Sequence, residues 1–280
     1  MDASTHPADP AASLDEGYGL LPEGGGFTIT RGPDASCVLL YLHGFNSMPR
    51  ELETPLTLIS SDLNAHLVAA RHAGHGLADP MDAAGLSANA LIRRAADYYE
   101  LARQLHPKVV IVGSSMGAAV GLCLAAERPV DAIVAWSPGI EPVEGALLEH
   151  LCASTEPLIE DTRPADAVRL RWNPTRVHVD AFRALRDLFR HHMTSDTFIR
   201  VETPLLMQYY FRNAENQDPT SRVDAMEGMF ASVSTPSHDK QAIAYPDGVH
   251  NIASPYRSPC WEQVCNDAVD WLAGKVLTTA

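Results

Sequence analysis

The chain has 280 residues, enough for one large α/β domain or two ordinary ones, and its 46% hydrophobic content can bury a sizeable core. Acidic residues outnumber basic ones by 35 to 21, a formal net charge of −14. Such a surface repels phosphate backbones and anionic membranes, which argues against a nucleic-acid or membrane-surface role.

The five cysteines, Cys37, Cys123, Cys152, Cys260 and Cys265, are scattered and odd in number. They read as reduced thiols of a cytoplasmic protein. The acidic, polar start Met1–Pro7 is unlike a signal peptide. Residues 1 to about 30 carry Pro, Gly and Asp clusters and suggest a loose lead-in with one edge strand.

Strand and helix patterns then alternate, the mark of a mostly parallel sheet flanked by helices. Cys37–Leu42 is a continuous apolar run, as in a strand buried on both faces, and Leu67–Ala70 is a short second strand. Helical spacing covers 51–64, and again Ala88–Leu105, where Leu91, Ile92, Ala95, Tyr98, Tyr99 and Ala102 share a side. Strands follow at Val109–Val112 and Ala132–Trp136, with the helix Met116–Arg128 between them. The run Val109–Ala126 is uncharged over roughly 18 residues, the lower limit for a membrane span. Its β-branched opening and the break at Gly113-Ser114-Ser115 fit a buried strand, a turn and a helix better.

From 141 to 203 the alternation stops. This segment is helix-rich, strongest over Val143–Ala153 and Val179–Met193, and too long for a connecting loop. We expect an inserted helical lid over 141–203, with residues 1–140 and 204–280 forming the core domain. The alternation resumes with strands Pro204–Phe211 and Gln241–Tyr245 and a helix from Trp261 to about Lys275.

The residues richest in chemistry are Gly113-Ser114-Ser115-Met116-Gly117, a Gly-x-Ser-x-Gly pattern between a predicted strand and a predicted helix. A serine at the tip of such a turn presents its hydroxyl to substrate, and the helix aims its N–H groups and positive dipole end at the same point. Gly113 and Gly117 remove side chains that would collide across the turn. Ser115 is the expected nucleophile. At the end of an earlier strand, His43-Gly44-Phe45 offers a second donor: Gly44 admits a close approach, and the Phe45 N–H pairs with that of Met116 as an oxyanion hole. His43 is expected to orient this loop rather than to move protons.

At this point the chain resembles an α/β-hydrolase of the carboxylesterase and monoacylglycerol-lipase type, the serine aminopeptidase superfamily. His43-Gly44-Phe45 with the following 46–51 is similar to the group's His-Gly-Phe loop, and Arg71-His72-Ala73-Gly74-His75-Gly76 resembles its Pro-Gly-His-Gly segment. The resemblance implies the α/β-hydrolase fold and a nucleophile, acid, base order along the chain. Of twelve histidines, only His238 and His250 lie beyond the Pro204–Phe211 strand. His250, in Gly248-Val249-His250, follows the last strand and resembles the family's Gly-x-His ending, whereas His238 precedes that strand. The acid is Asp218, whose Asp-Pro pair resembles the family's acid followed by a turn; Glu215 and then Asp224 are the alternatives, because the turn after Phe211 is longer than usual.

The resulting expectation is a hydrolase of short- to medium-chain acyl esters or monoacylglycerols, working through a Ser-His-Asp acyl-enzyme with no metal or organic cofactor. The same triad would also serve thioesters, amides or C–C bonds, and a non-catalytic ligand-binding member is the remaining alternative. The expected partner is a small-molecule ester, with no membrane span and no nucleic acid; a homo-oligomer stays open. His191-His192 point about 100° apart on a helix and cannot share one metal ion.

Overall fold

The computed structural model describes residues 9–162 and 164–277; the expected absence of a signal peptide at Met1–Pro7 concerns residues outside these. In chain order the elements are α1 (Pro10–Ser13), β1 (Phe27–Ile29), β2 (Val38–Leu42), α2 (Glu53–Asp62), β3 (His66–Ala70), α3 (Ala88–Leu105), β4 (Val109–Ser114), α4 (Met116–Ala125) and β5 (Ala132–Trp136). Then come α5 (Gly145–Cys152), β6 (Leu158–Glu160), α6 (Ala167–Trp172), β7 (Arg176–His178), α7 (Val179–His192) and α8 (Ser195–Phe198). The chain continues with β8 (Leu205–Asn213), β9 (Asn216–Gln217), α9 (Val223–Ser232), β10 (Lys240–Tyr245) and α10 (Trp261–Leu272).

The main sheet runs β1-β3-β2-β4-β5-β8-β10, with β9 attached to β8. Pairings from β3 through β10 along this path are parallel, and only β1 and the short β9 run antiparallel to their neighbours. β2, β3, β4 and β5 are buried at every residue, because helices cover both faces. Side chains alternate between two cores. Val38, Leu40 and Leu42 meet α3 and α4, while Leu39 and Tyr41 face the other way, toward α2 and α10.

Helix ends follow local chemistry. The Ser87 hydroxyl accepts from Ala90 N and starts α3, and the apolar stripe read from sequence is its buried face. The helix expected from residue 51 divides into a single tight turn over Pro49–Leu52 and then α2, since Pro49 sets the first turn and Pro55 sits early in the helix that follows.

Between β5 and β8 the described residues form four helices and a two-stranded antiparallel ribbon of β6 and β7, which the helix-rich reading of that stretch did not foresee. α7 is not detached from the core: Ala184 and Leu188 are buried in the same cluster as α3 and α4. Among the described residues, no helix is long and apolar enough to cross a membrane. All five cysteines are unpaired thiols.

Candidate active site

β4 delivers the chain to Ser115, which has φ +52° and ψ −116°, a conformation that L-residues rarely adopt. α4 begins at the next residue, Met116. The turn is held from both sides: Ser115 N donates to Trp136 O at 2.9 Å, and Ser115 O accepts from Gly139 N at 3.0 Å. A Cβ on Gly113 would lie 2.5 Å from Ala118 Cα, and one on Gly117 would overlap the carbonyls of Leu42 and His43. Both glycines are therefore required by the contact of the turn with α4 and β2.

His250 and Asp218 converge on the Ser115 hydroxyl. His250 Nε2 lies 2.9 Å from Ser115 Oγ, and His250 Nδ1 lies 2.8 Å from Asp218 Oδ2 and 3.0 Å from Oδ1. The Asp218 side chain is fully buried, whereas that of His250 keeps 15% of its surface exposed. Burial pushes the Asp218 carboxyl upward, but its bonds to His250 and to the N–H groups of Ser221 and Thr220, each 2.9 Å from Oδ1, outweigh it and leave the pKa lowered. Asp218 is held as a carboxylate, which favours the His250 tautomer with its proton on Nδ1 and Nε2 free to accept from serine.

The other candidates fall elsewhere. Glu215 is exposed at the tip of the β8–β9 hairpin, and Asp224 is exposed and paired with Arg222 in the first turn of α9. His238 is largely exposed and sits 3.2 Å from Asp239, ahead of β10. The unusual spacing between strand and acid is accounted for by the hairpin. β8 runs on to Asn213 and returns through Asn216–Gln217, which brings Asp218 back to Tyr210, where its N–H donates to the Tyr210 carbonyl at 3.1 Å.

The His43-Gly44-Phe45 loop borders the same space. A Cβ on Gly44 would stand 3.6 Å from Ser115 Cβ, an ordinary contact, so glycine there leaves room before the hydroxyl and relieves no clash. The Phe45 ring packs on Phe182 and His75, with centroids 5.2 and 5.7 Å away. His43 is fully buried; its Nδ1–H donates to Gly44 O at 2.8 Å and its Nε2 accepts from His72 N at 3.2 Å. Burial, followed by the neighbouring imidazoles, holds His43 well below the usual histidine range. It is thus a neutral brace for the loop. His72 and His75 are lowered by burial to about 3 and about 4, and Arg71, buried beneath them, donates to the carbonyls of both. Asp15 pairs with Arg71 at 2.8 Å and with Arg94 at 2.5 Å, pinning the lead-in to this turn.

Ser115, Gly44, Phe45 and His250 line one cavity of about 180 Å³, joined by Pro142, Leu185 and Phe189 from the stretch between β5 and β8 and by a polar group of Ser47, Glu51, Asn173 and Asn251. Met116 is buried at the start of α4, and a Cβ on Gly139 would stand 3.2 Å from both Met116 N and the Phe189 ring. Gly139 and the polar group were not identified from sequence. Ser47 and Glu51 lie only a few residues past His43-Gly44-Phe45, but their partners are distant in the chain. Among the described residues, no set of three or more His, Cys, Asp or Glu side chains could hold a metal ion.

Comparison with known proteins agrees with this architecture. No curated protein sequence matches the chain. In solved structures the chain is similar to one described with the metagenome-derived lipolytic enzymes LipS and LipT, with a TM-score of 0.75 at 15% identity, covering 91% of this chain and 99% of that one. It is similar also to a Paleococcus ferrophilus monoacylglycerol lipase, with a TM-score of 0.69 at 16% identity over 89% of this chain and 99% of that one. A thermostable carboxyl esterase from Bacillus coagulans, in complex with glycerol, gives 0.70 at 12% identity over 90% and 94%. At these identities the likeness establishes the fold. The sequence pattern of the alpha/beta hydrolase family matches residues 39–259, and the chain belongs to that family.

Proposed function

We propose that this protein hydrolyses carboxylic esters through Ser115, His250 and Asp218. The observation that carries the reading is the unbroken hydrogen-bond chain from Ser115 Oγ through His250 to the buried Asp218 carboxylate, opening on a cavity. His250 Nε2 takes the hydroxyl proton as Ser115 Oγ attacks the ester carbonyl. Asp218 keeps the Nδ1 proton in place and offsets the charge on the imidazolium. The Phe45 and Met116 N–H groups receive the developing oxyanion, each contributing about 3 kcal/mol to lowering the barrier. His250 then returns its proton to the leaving alkoxide; water, deprotonated by the same Nε2, attacks the acyl carbonyl, and His250 gives that proton to Ser115 Oγ as the acid departs.

The segment 141–203 serves as a cap, since Pro142, Asn173, Leu185 and Phe189 contribute to the cavity wall. A volume of about 180 Å³ lies below the ~300–1,000 Å³ of pockets that take larger ligands, which favours esters with at least one short group. The neighbours described as a monoacylglycerol lipase and a carboxyl esterase point to the same chemistry. Five unpaired cysteines suit a reducing compartment, and we place the protein in the cytoplasm. Hydrolysis of p-nitrophenyl esters from acetate to palmitate tests the reading: turnover of the shorter esters, abolished in Ser115→Ala, supports it, and inactivity on the whole series contradicts it.

A further inference from the structure

The polar group in the cavity wall has no part in the ester chemistry above. Glu51 is only 3% exposed, yet it borders the cavity that holds Ser115. Its Oε2 accepts from Ser47 Oγ at 2.5 Å. Among the described residues its Oε1 has only long contacts, 3.4 Å to Asn251 Nδ2 and 3.7 Å to Arg257 Nε. Arg257 in turn donates to Asn173 Oδ1 at 3.2 Å. Asn251 directly follows His250, so this group adjoins the triad.

An ionised carboxylate has about four acceptor positions, and here one is firmly used. Methylene groups laid against it would strip its remaining water and leave it unpaired, whereas a substrate donor would complete it. Burial raises the Glu51 carboxyl, and the Ser47 bond and Arg257 act against that rise. The nearby guanidinium balances the charge, so a neutral hydroxyl suits the place better than a second cation.

We propose that Glu51, with Ser47 and Asn251, forms a hydroxyl-binding subsite beside Ser115, which selects esters carrying a free hydroxyl on the acyl or the alcohol part. This rests on the ester-hydrolase reading. The test is kcat/KM for two matched pairs, ethyl propionate against ethyl 2-hydroxypropionate and ethyl butyrate against 2-hydroxyethyl butyrate. Each ratio is divided by that for alkaline hydrolysis, to remove intrinsic reactivity. The expected result is a preference on the order of 10–100-fold for the hydroxylated member of one pair, which pair it is identifying the part that carries the hydroxyl. The ratio should collapse toward one in Glu51→Ala and shrink in Glu51→Gln.

Turnover of both pairs with wild-type ratios near one overturns the subsite and leaves the ester reading standing. A preference that survives in Glu51→Ala overturns it as well. No turnover of any of the four esters by a protein active on p-nitrophenyl esters overturns the subsite alone, and inactivity on both sets overturns the ester reading with it. The wild-type ratios decide the matter even if Glu51→Ala does not fold.

Discussion

The N–H of Asp218 donates to the carbonyl of Tyr210, and this one bond places a carboxylate under His250 after the chain has overshot the end of the parallel sheet. The overshoot is the β8–β9 hairpin, and Glu215 sits exposed at its tip. Asp218→Asn should therefore lower kcat by a factor on the order of 10³–10⁴, by favouring the wrong imidazole tautomer. Glu215→Gln and Asp224→Asn should stay within roughly twofold of wild type, since exposed side chains in these places touch nothing in the triad. Steady-state hydrolysis of one short ester by the three variants checks this; a large loss in Glu215→Gln would move the acid.

Ser115 holds a positive φ that costs of order 1–3 kcal/mol for a residue with a Cβ. In an ordinary position, glycine is less stable than alanine by roughly 0.5–1 kcal/mol. Here the order should reverse: Ser115→Gly should match or exceed Ser115→Ala in stability, with both inactive. Urea unfolding of the two variants decides it, and a Gly variant weaker by about 1 kcal/mol would mean that the turn is unstrained.

Gly117 packs against the β2 end so closely that a methyl group would overlap backbone carbonyls, which cannot swing aside as a side chain can. Gly117→Ala should cost about 4 kcal/mol or more and yield little soluble protein. Gly44→Ala, facing ordinary contact distances, should fold and lose activity instead. Soluble yield and thermal unfolding separate the two.

The buried histidines make stability depend on pH. His72 and His75 titrate near 3 and 4 in the folded protein, against 6.5 when unfolded, because burial disfavours their charged forms. Between pH 6.5 and 4 the unfolded chain thus binds more protons, and stability falls as pH falls, by about 1.4 kcal/mol per pH unit for each group. From pH 7 to 5 that is about 2 kcal/mol for each, and His43 shifts in the same direction. Asp218, lowered in the folded state, adds a loss only below the unfolded carboxylate value, near pH 4 and under. Urea midpoints at pH 7 and 5 should differ clearly; equal midpoints would mean that these imidazoles are already solvated in the native state.

Much of this was legible along the chain. β2, β5 and the Val109–Val112 part of β4 are unbroken apolar runs because both of their faces are covered, and the Gly-x-Ser-x-Gly turn stands out because steric overlap leaves its glycines no substitute. The β6–β7 ribbon was not legible, since three-residue strands are too short for alternation to register. Choosing Asp218 over Glu215 from sequence relied on likeness, whereas the physical difference is burial, a property of the folded hairpin. Glu51 carried no signal of its own: what defines it are Asn251 and Arg257, some 200 residues further on.

The role of Ser115 as the activated nucleophile is tested by intact-mass and peptide analysis after treatment with diethyl p-nitrophenyl phosphate. One diethylphosphoryl adduct per chain is expected, located on Ser115, formed in step with loss of ester hydrolysis and absent from His250→Ala over the same interval. An unlabelled chain, or an adduct on another residue with Ser115 intact, would contradict it.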